Sequence, residues 1–257
     1  MTALHAVILF SAAVAGSAIG AMAGGGTLVT FSTLVLLGMP GIMANATSTV
    51  GLLPTGAATM FGHREEMRVH RRWIAALLLP GLAGGAVGSV LLIATPERSF
   101  ARVAPLLVLF ATSLFFLQGW LPSGKGSGDI RPRLRTAKLV AGGLLLLAVG
   151  TYEGYFGAGS GILILAILGF LGLGDIHAMN GLKGFFVVAI NTVASAYFIA
   201  RGAVHWPSAL VMVAGSAIGG YGGARFSRRI GRERARVAVI VIGLVMTVVL
   251  LLRGERF

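Results

Sequence analysis

Apolar stretches long enough to cross or nearly cross a bilayer alternate along the chain with short polar breaks. In order, they predict apolar helical segments near 4–23, 27–38, 44–62, 73–93 and 99–121, then near 138–156, 160–173, 177–200, 206–224 and 235–252. A bilayer core ~30 Å thick needs about 20 apolar residues of helix, and most segments supply them. The second segment of each set does not, because about a dozen residues at 1.5 Å each reach only about 18 Å. Each is predicted to be a half-helix, or to pair with its predecessor as a re-entrant hairpin. Irregular backbone at that depth is tolerated only where protein or a water-filled cavity surrounds it. The pattern therefore predicts an all-α integral membrane protein, a polytopic helical bundle with broken or re-entrant short helices.

The segments recur in the same order. AGGGTLV (23–29) matches AGSGILI (158–164), and ANATS (44–48) lies over MNGLK (179–183), which sets Asn45 opposite Asn180 and Ser48 opposite Lys183. VH at 69–70 matches 204–205, GLAGGAVG (81–88) matches GSAIGGYG (215–222), and ARV at 101–103 matches 235–237. The spacing stays at 134–135 residues throughout. The expected organisation is a first membrane repeat over 1–121, a basic cytoplasmic linker over 122–137 and a second membrane repeat over 138–257.

Basic residues orient the halves. Loop 62–72 (GHREEMRVHRR), the linker with its flank to Lys138, and loop 225–236 (RFSRRIGRERAR) hold 15 of the 21 Lys and Arg, which predicts that all three are cytoplasmic. Their repeat equivalents are not basic: 201–206 (RGAVHW), with one arginine, corresponds to 62–72, and the nearly neutral 94–100 corresponds to 225–236. Equivalent loops thus face opposite sides. The repeats are predicted to have inverted topology, with both termini periplasmic.

Composition agrees. The 257 residues are 56% hydrophobic and 11% charged, against about 25% charged in a soluble domain, which leaves no room for a sizeable soluble unit. Mean hydropathy is +0.89. The net charge of +13 sits in loops and reads as topology signal and lipid contact, not as nucleic-acid binding. There is no cysteine, hence no disulfide, thiolate or iron–sulfur chemistry. MTALHAVILF has no basic stretch ahead of its apolar run and reads as the first helix, not as a typical signal peptide. His5, His63, His70, His177 and His205 are scattered near segment ends with no metal-ligand spacing, so no metal or cofactor is expected. Asp175 is read as a helix cap, and Trp73 and Trp206 as interfacial anchors.

The candidate chemistry lies where the short segments begin. Gly24, Gly25 and Gly26 precede one, with Thr27 next; Gly157, Gly159, Ser160 and Gly161 precede the other. A half-helix starting there turns unpaired N–H groups and the positive end of its dipole toward a cavity, a site for an anion. Gly16 and Gly20, and Gly215, Gly219 and Gly223, suit close helix packing or a homodimer contact instead. Asn45, Thr49, Leu52, Gly56 and Thr59 share one face of the third segment, and Asn180, Lys183, Gly184, Val187, Asn191 and Ser195 share one face of its equivalent. An intramembrane lysine is rare and usually faces a cavity, so Lys183 is the candidate positive pole. Asn45, Thr47 and Ser48 are either its neutral donors or ties between helices. Glu153, in TYEGYFGAGSGILILAILGF (151–170), is the candidate proton-coupling group, or else a static partner of Lys183. A carboxylate beside an anion site repels the substrate while ionised, and taking up a proton removes that repulsion.

AMAGGGTLVTFSTLVLLGMPGIMANATSTVG and GYFGAGSGILILAILGFLGLGDIHAMNGLKGF resemble the paired signature of the TauE/SafE (TSUP) family of sulfite and organosulfonate exporters. In that family each half opens with a glycine-rich patch, followed by an A-N-A-T-S or A-x-N-x-x-K type motif. Ala44, Asn45, Thr47 and Ser48 match the first, and Ala178, Asn180 and Lys183 match the second. Phe31 and Ala166 stand where the family often has a proline after the patch. The resemblance implies a secondary transporter exporting sulfite, sulfoacetate or a related organosulfonate across the bacterial inner membrane. The residues themselves favour a proton-coupled carrier for a small anion. An anion channel, or a carrier for another small anion, is the alternative. A membrane enzyme would need a catalytic constellation, and no Ser-His-Asp arrangement or metal motif is present.

Overall fold

The computed structural model describes residues 2–23, 25–62, 71–118, 136–173, 176–230 and 232–254. Among them are eleven helices and no strand. In the first half these are α1 (Ala3–Ala23), α2 (Gly26–Leu36), α3 (Gly41–Gly51), α4 (Leu53–Gly62), α5 (Arg71–Ala94) and α6 (Glu97–Gln118). The second half has α7 (Thr136–Tyr155), α8 (Ser160–Phe170), α9 (Ile176–Ala200), α10 (Trp206–Ile230) and α11 (Arg232–Gly254). Six are long and apolar enough to cross a membrane: α1, α5, α6, α7, α9 and α11. Large apolar side chains such as Leu79, Leu106, Leu144, Leu210 and Leu252 stay more than half exposed, as on helices that face lipid. This is a multi-pass membrane protein. Most of the linker, most of loop 62–72, Gly24 and Asp175 lie outside the described residues, as do the side chains of Thr59 and His177 and the surroundings of Gly223.

The two short segments are uninterrupted helices of 11 residues each, about 17 Å long, too short to span. Phe31, in the proline position of the family signature, is fully buried and sets its ring edge-on against Phe156, with centroids 5.3 Å apart.

One predicted segment divides. The run 44–62 was expected to be continuous, but α3 ends at Gly51 and α4 begins at Leu53. The cause is Pro54, which has no N–H to give the Val50 carbonyl. Beside it, the Thr55 N–H bonds the carbonyl of Leu52, a tighter turn than the α-helical partner Gly51 would give.

Glycines set the longest seams. α5 packs most extensively on α7, and α10 on α1. A methyl group added at Gly84 or Gly88 of α5 would run into the α7 backbone at Leu147 or Thr151. One at Gly215 or Gly219 of α10 would run into the α1 backbone at Phe10 or Val14. Small residues let these backbones meet, which is the packing role expected of Gly215 and Gly219. Trp73 corrects an expectation. It is only 6% exposed and packs with Leu77, Ile164 and Phe186 in the protein interior, whereas Trp206 is 48% exposed.

Candidate functional site

The helices border a cavity of about 110 Å³. A water needs roughly 10–15 Å³ on this measure, so the space takes several waters or one small ion. Both halves build it. The first contributes Gly16, Ser17, Gly20 and Ala21 of α1, Gly26 and Thr27 at the start of α2, and Thr49, Leu52, Leu53, Thr55 and Gly56 around the α3–α4 break. From the second come Glu153, Phe156 and Gly157 at the end of α7, Ser160 and Gly161 at the start of α8, and Lys183, Gly184, Val187, Val188 and Asn191 of α9.

Two helix N-termini therefore open into one space. Neither Gly25 before α2 nor Gly159 before α8 provides a side-chain cap. Each helix end carries about half a positive charge. Gly157 and Gly159 hold φ of +79° and +80°, a region closed to most L residues, and this lets the chain reverse between α7 and α8 within the bundle. The Ser160 hydroxyl donates to the Gly157 carbonyl at 2.8 Å and fixes the turn.

Among the described lining residues, Lys183 and Glu153 are the only charged side chains. The Lys183 Nζ donates to Asn180 Oδ1 at 3.1 Å. Gly161 lies against the lysine stem, where an added methyl would come within 3.3 Å of Cδ. Glu153 is 4% exposed. Asn191 Nδ2 donates to its Oε1 at 2.7 Å, while Oε2 is buried with no hydrogen-bond partner. Glu153 thus takes Asn191, not Lys183, as its hydrogen-bond partner, and the static pair is not formed. A buried oxygen of this kind is expensive unless something comes to meet it.

Of the residues expected to bind the anion or carry the proton, Gly26, Thr27, Thr49, Glu153, Ser160, Gly161, Lys183 and Asn191 meet at the cavity. Asn180 is tied to it through Lys183. Gly25 faces Val239 of α11, and Gly159 faces Ala111 and Leu114 of α6. Asn45, Thr47 and Ser48 are not among the lining residues, and their side chains tie helices together. Asn45 Nδ2 donates to the carbonyl of Tyr155 at 2.9 Å, closing the end of α7 from the other half. The backbone N–H of His205 donates to Thr47 Oγ1 at 3.0 Å, and the hydroxyls of Ser48 and Thr30 meet at 2.6 Å. Sequence reading missed Ser17 and Thr55, whose hydroxyls bond each other at 2.7 Å on the wall. The available signals were a lone serine in the apolar run of α1 and a threonine just after Pro54.

The cavity lies inside a multi-pass helical bundle, and a short helix from each half begins at it. The family model described as sulfite exporter TauE/SafE matches residues 8–250, and the chain belongs to that family. It is 31% identical over 241 residues to a "Probable membrane transporter protein" of Haemophilus influenzae, covering 93% of this chain and 92% of the relative. It is 28% identical to similarly named proteins of a Sinorhizobium species, over 95% of this chain and 91% of the relative, and of Escherichia coli K12, over 95% and 88%. No solved structure matches the chain.

Proposed function

We propose that the protein exports a small sulfur-containing anion, such as sulfite, sulfoacetate or a related organosulfonate, across the bacterial inner membrane, coupled to protons. One observation carries the anion: the N-termini of α2 and α8 and the side chain of Lys183 border the same cavity. Helix ends and a lysine are both attracted to negative charge, and the low dielectric around them strengthens that attraction. Sulfur and outward direction come from the family description. Proton coupling rests on Glu153. Glu153 and Lys183 line the same cavity, so an anion enters more readily when the carboxyl is neutral. Each bound anion then brings a proton with it, so export runs down the anion's own outward gradient and an acid interior speeds it.

A two-fold relation between the repeats is supported by how the seams exchange, and the loop charges favour its inverted form. α5 on α7 in one place corresponds to α10 on α1 in the other, as swapping the two repeats requires. The basic loops then lie in the cytoplasm and both termini in the periplasm.

The test is sulfite and sulfoacetate flux in proteoliposomes, with and without a pH gradient, for wild type and Lys183→Ala. Saturable, gradient-driven flux that the variant loses is expected. Flux that survives the substitution would remove Lys183 from the site. Unsaturable flux indifferent to the gradient would make the protein a channel.

A further inference from the structure

A stack of aromatic rings leads from the cavity to one end of the bundle. Phe156 lines the cavity. Behind it stands Phe31, edge-on with centroids 5.3 Å apart, and behind Phe31 stands Phe100, edge-on at 6.4 Å. All three are at most 1% exposed. Phe100 lies against Tyr155 at 6.1 Å, and the Tyr155 hydroxyl meets Thr95 Oγ1 at 3.3 Å, just past the end of α5. The rings come from both halves: Phe31 from α2, Phe100 from α6, and Tyr155 and Phe156 from where α7 ends. Asn45 of α3 holds the Tyr155 carbonyl in place.

At the far side of the stack sits one carboxylate. Pro40 precedes α3 and gives it no side-chain cap. Glu97 of α6 caps it instead, accepting from the N–H groups of Gly41 and Ile42. A carboxylate is favoured at the positive end of a helix. Gly41 also lets Phe100 press on the α3 backbone, since an added methyl would come within 2.8 Å of the ring. Glu97 is exposed, so this contact can open without stranding a buried charge. The other end of the bundle lacks an equivalent pair of rings: the proposed repeat sets Ala21 opposite Phe156 and Ala166 opposite Phe31.

We propose that Phe31, Phe100 and Phe156 form a gate that closes the cavity toward the periplasm, with Glu97 on the start of α3 as its latch. The gate belongs to the transport reading above and deepens it. Its side follows from the loop charges, which put 94–100 outside. Because the rings come from two halves, a shift of the α7–α8 turn against α2 and α6 parts Phe156 from Phe31 and opens a path. Release of Glu97 frees the start of α6 from α3 for that shift. With the gate shut, the cavity is reached from the cytoplasm.

The chain has no cysteine, so one placed in the cavity reports alone. Thr49→Cys, in the lining and one turn from Asn45, is the reporter. A cationic, membrane-impermeant methanethiosulfonate is applied to spheroplasts and to inside-out vesicles carrying the full chain, and the ratio of outer to inner reaction rates is read. The reporter alone should react faster from the inner face. Adding Glu97→Ala should raise the ratio roughly tenfold, the worth of one charge-assisted hydrogen bond, and Phe31→Ala should raise it further. Equal rates from both faces in the reporter alone overturn the gate, as does a ratio that neither substitution moves. Both rates rising together would be general loosening and would overturn it too. A rise confined to the inner face would refute its periplasmic side. Should Phe31→Ala fail to fold, Glu97→Ala at its exposed position decides. No substrate enters the measurement, so absence of sulfite and sulfoacetate flux would sink the anion reading while the labelling still judged the gate.

Discussion

From its first half the cavity receives hydroxyls, glycines and aliphatic side chains, notably Ser17, Thr27, Thr49, Thr55, Leu52 and Leu53. From its second half come Glu153, Lys183 and Asn191. The proposed repeat puts unlike residues opposite these three. Ser48 stands opposite Lys183, and its hydroxyl is used up on Thr30. Asn191 corresponds to Gly56, which packs so closely on Val188 that an added methyl would sit 2.5 Å from Cγ2. Glu153 falls opposite Ala18 or Ile19. In the proposed duplication the halves share what makes the scaffold, namely short helices and glycine seams, but not the charges. One cavity between two halves needs only one cation and one carboxyl, and a second pair would have to be buried without a ligand to meet it.

The comparison can be broken most severely at the seams. Gly88→Val and Gly219→Val each drive a side chain into the backbone of the facing helix, at Thr151 and at Val14. Overpacking costs about 1–3 kcal/mol where side chains can yield, and more where they meet backbone. Both variants should lose thermal stability in detergent by similar amounts. Unequal losses would mean that the two seams are not equivalent.

Lys183→Ala should come next, lowering anion flux roughly 10–100-fold, since hydrogen bonds to a charged group contribute about 1.5–3 kcal/mol and each 1.4 kcal/mol is tenfold. Its stability should change little by comparison, and flux per folded molecule separates the two effects. Asn45→Ala should do the reverse. It leaves the Tyr155 carbonyl without its donor, at about 1–3 kcal/mol of stability. Apparent affinity for sulfite should stay at the wild-type value, and a weakened affinity would put Asn45 in the site. The smallest effect belongs to Ser48→Ala, because Thr30 keeps its bond to the Gly26 carbonyl at 3.1 Å. A loss of at most about 1 kcal/mol with unchanged flux is expected. A large flux defect there would restore equivalence with Lys183.

The sequence by itself determined the class. Apolar segments of spanning length, two segments too short to span, and glycine patches before them read directly as a helical membrane protein with broken helices. The reason is that bilayer thickness and helix rise are fixed numbers. It also marked Lys183 and Glu153, because ionisable residues in apolar runs stand out against any background. The Pro54 break was legible too, but the apolar run around it hid the tighter turn.

Only the tertiary structure decided which polar residues share a cavity. Asn45, Thr47 and Thr49 lie within one and a half turns of each other, yet Thr49 faces the cavity while the other two hold Tyr155 and His205. Spacing along a helix tells which residues share a face. It does not tell which neighbour covers that face, because the neighbour comes from the other half of the chain, 110 residues away for Asn45 and 158 for Thr47. The same holds for Glu153: its sequence position shows a carboxyl in an apolar run, but only packing against α9 gives one oxygen to Asn191 and buries the other without a partner.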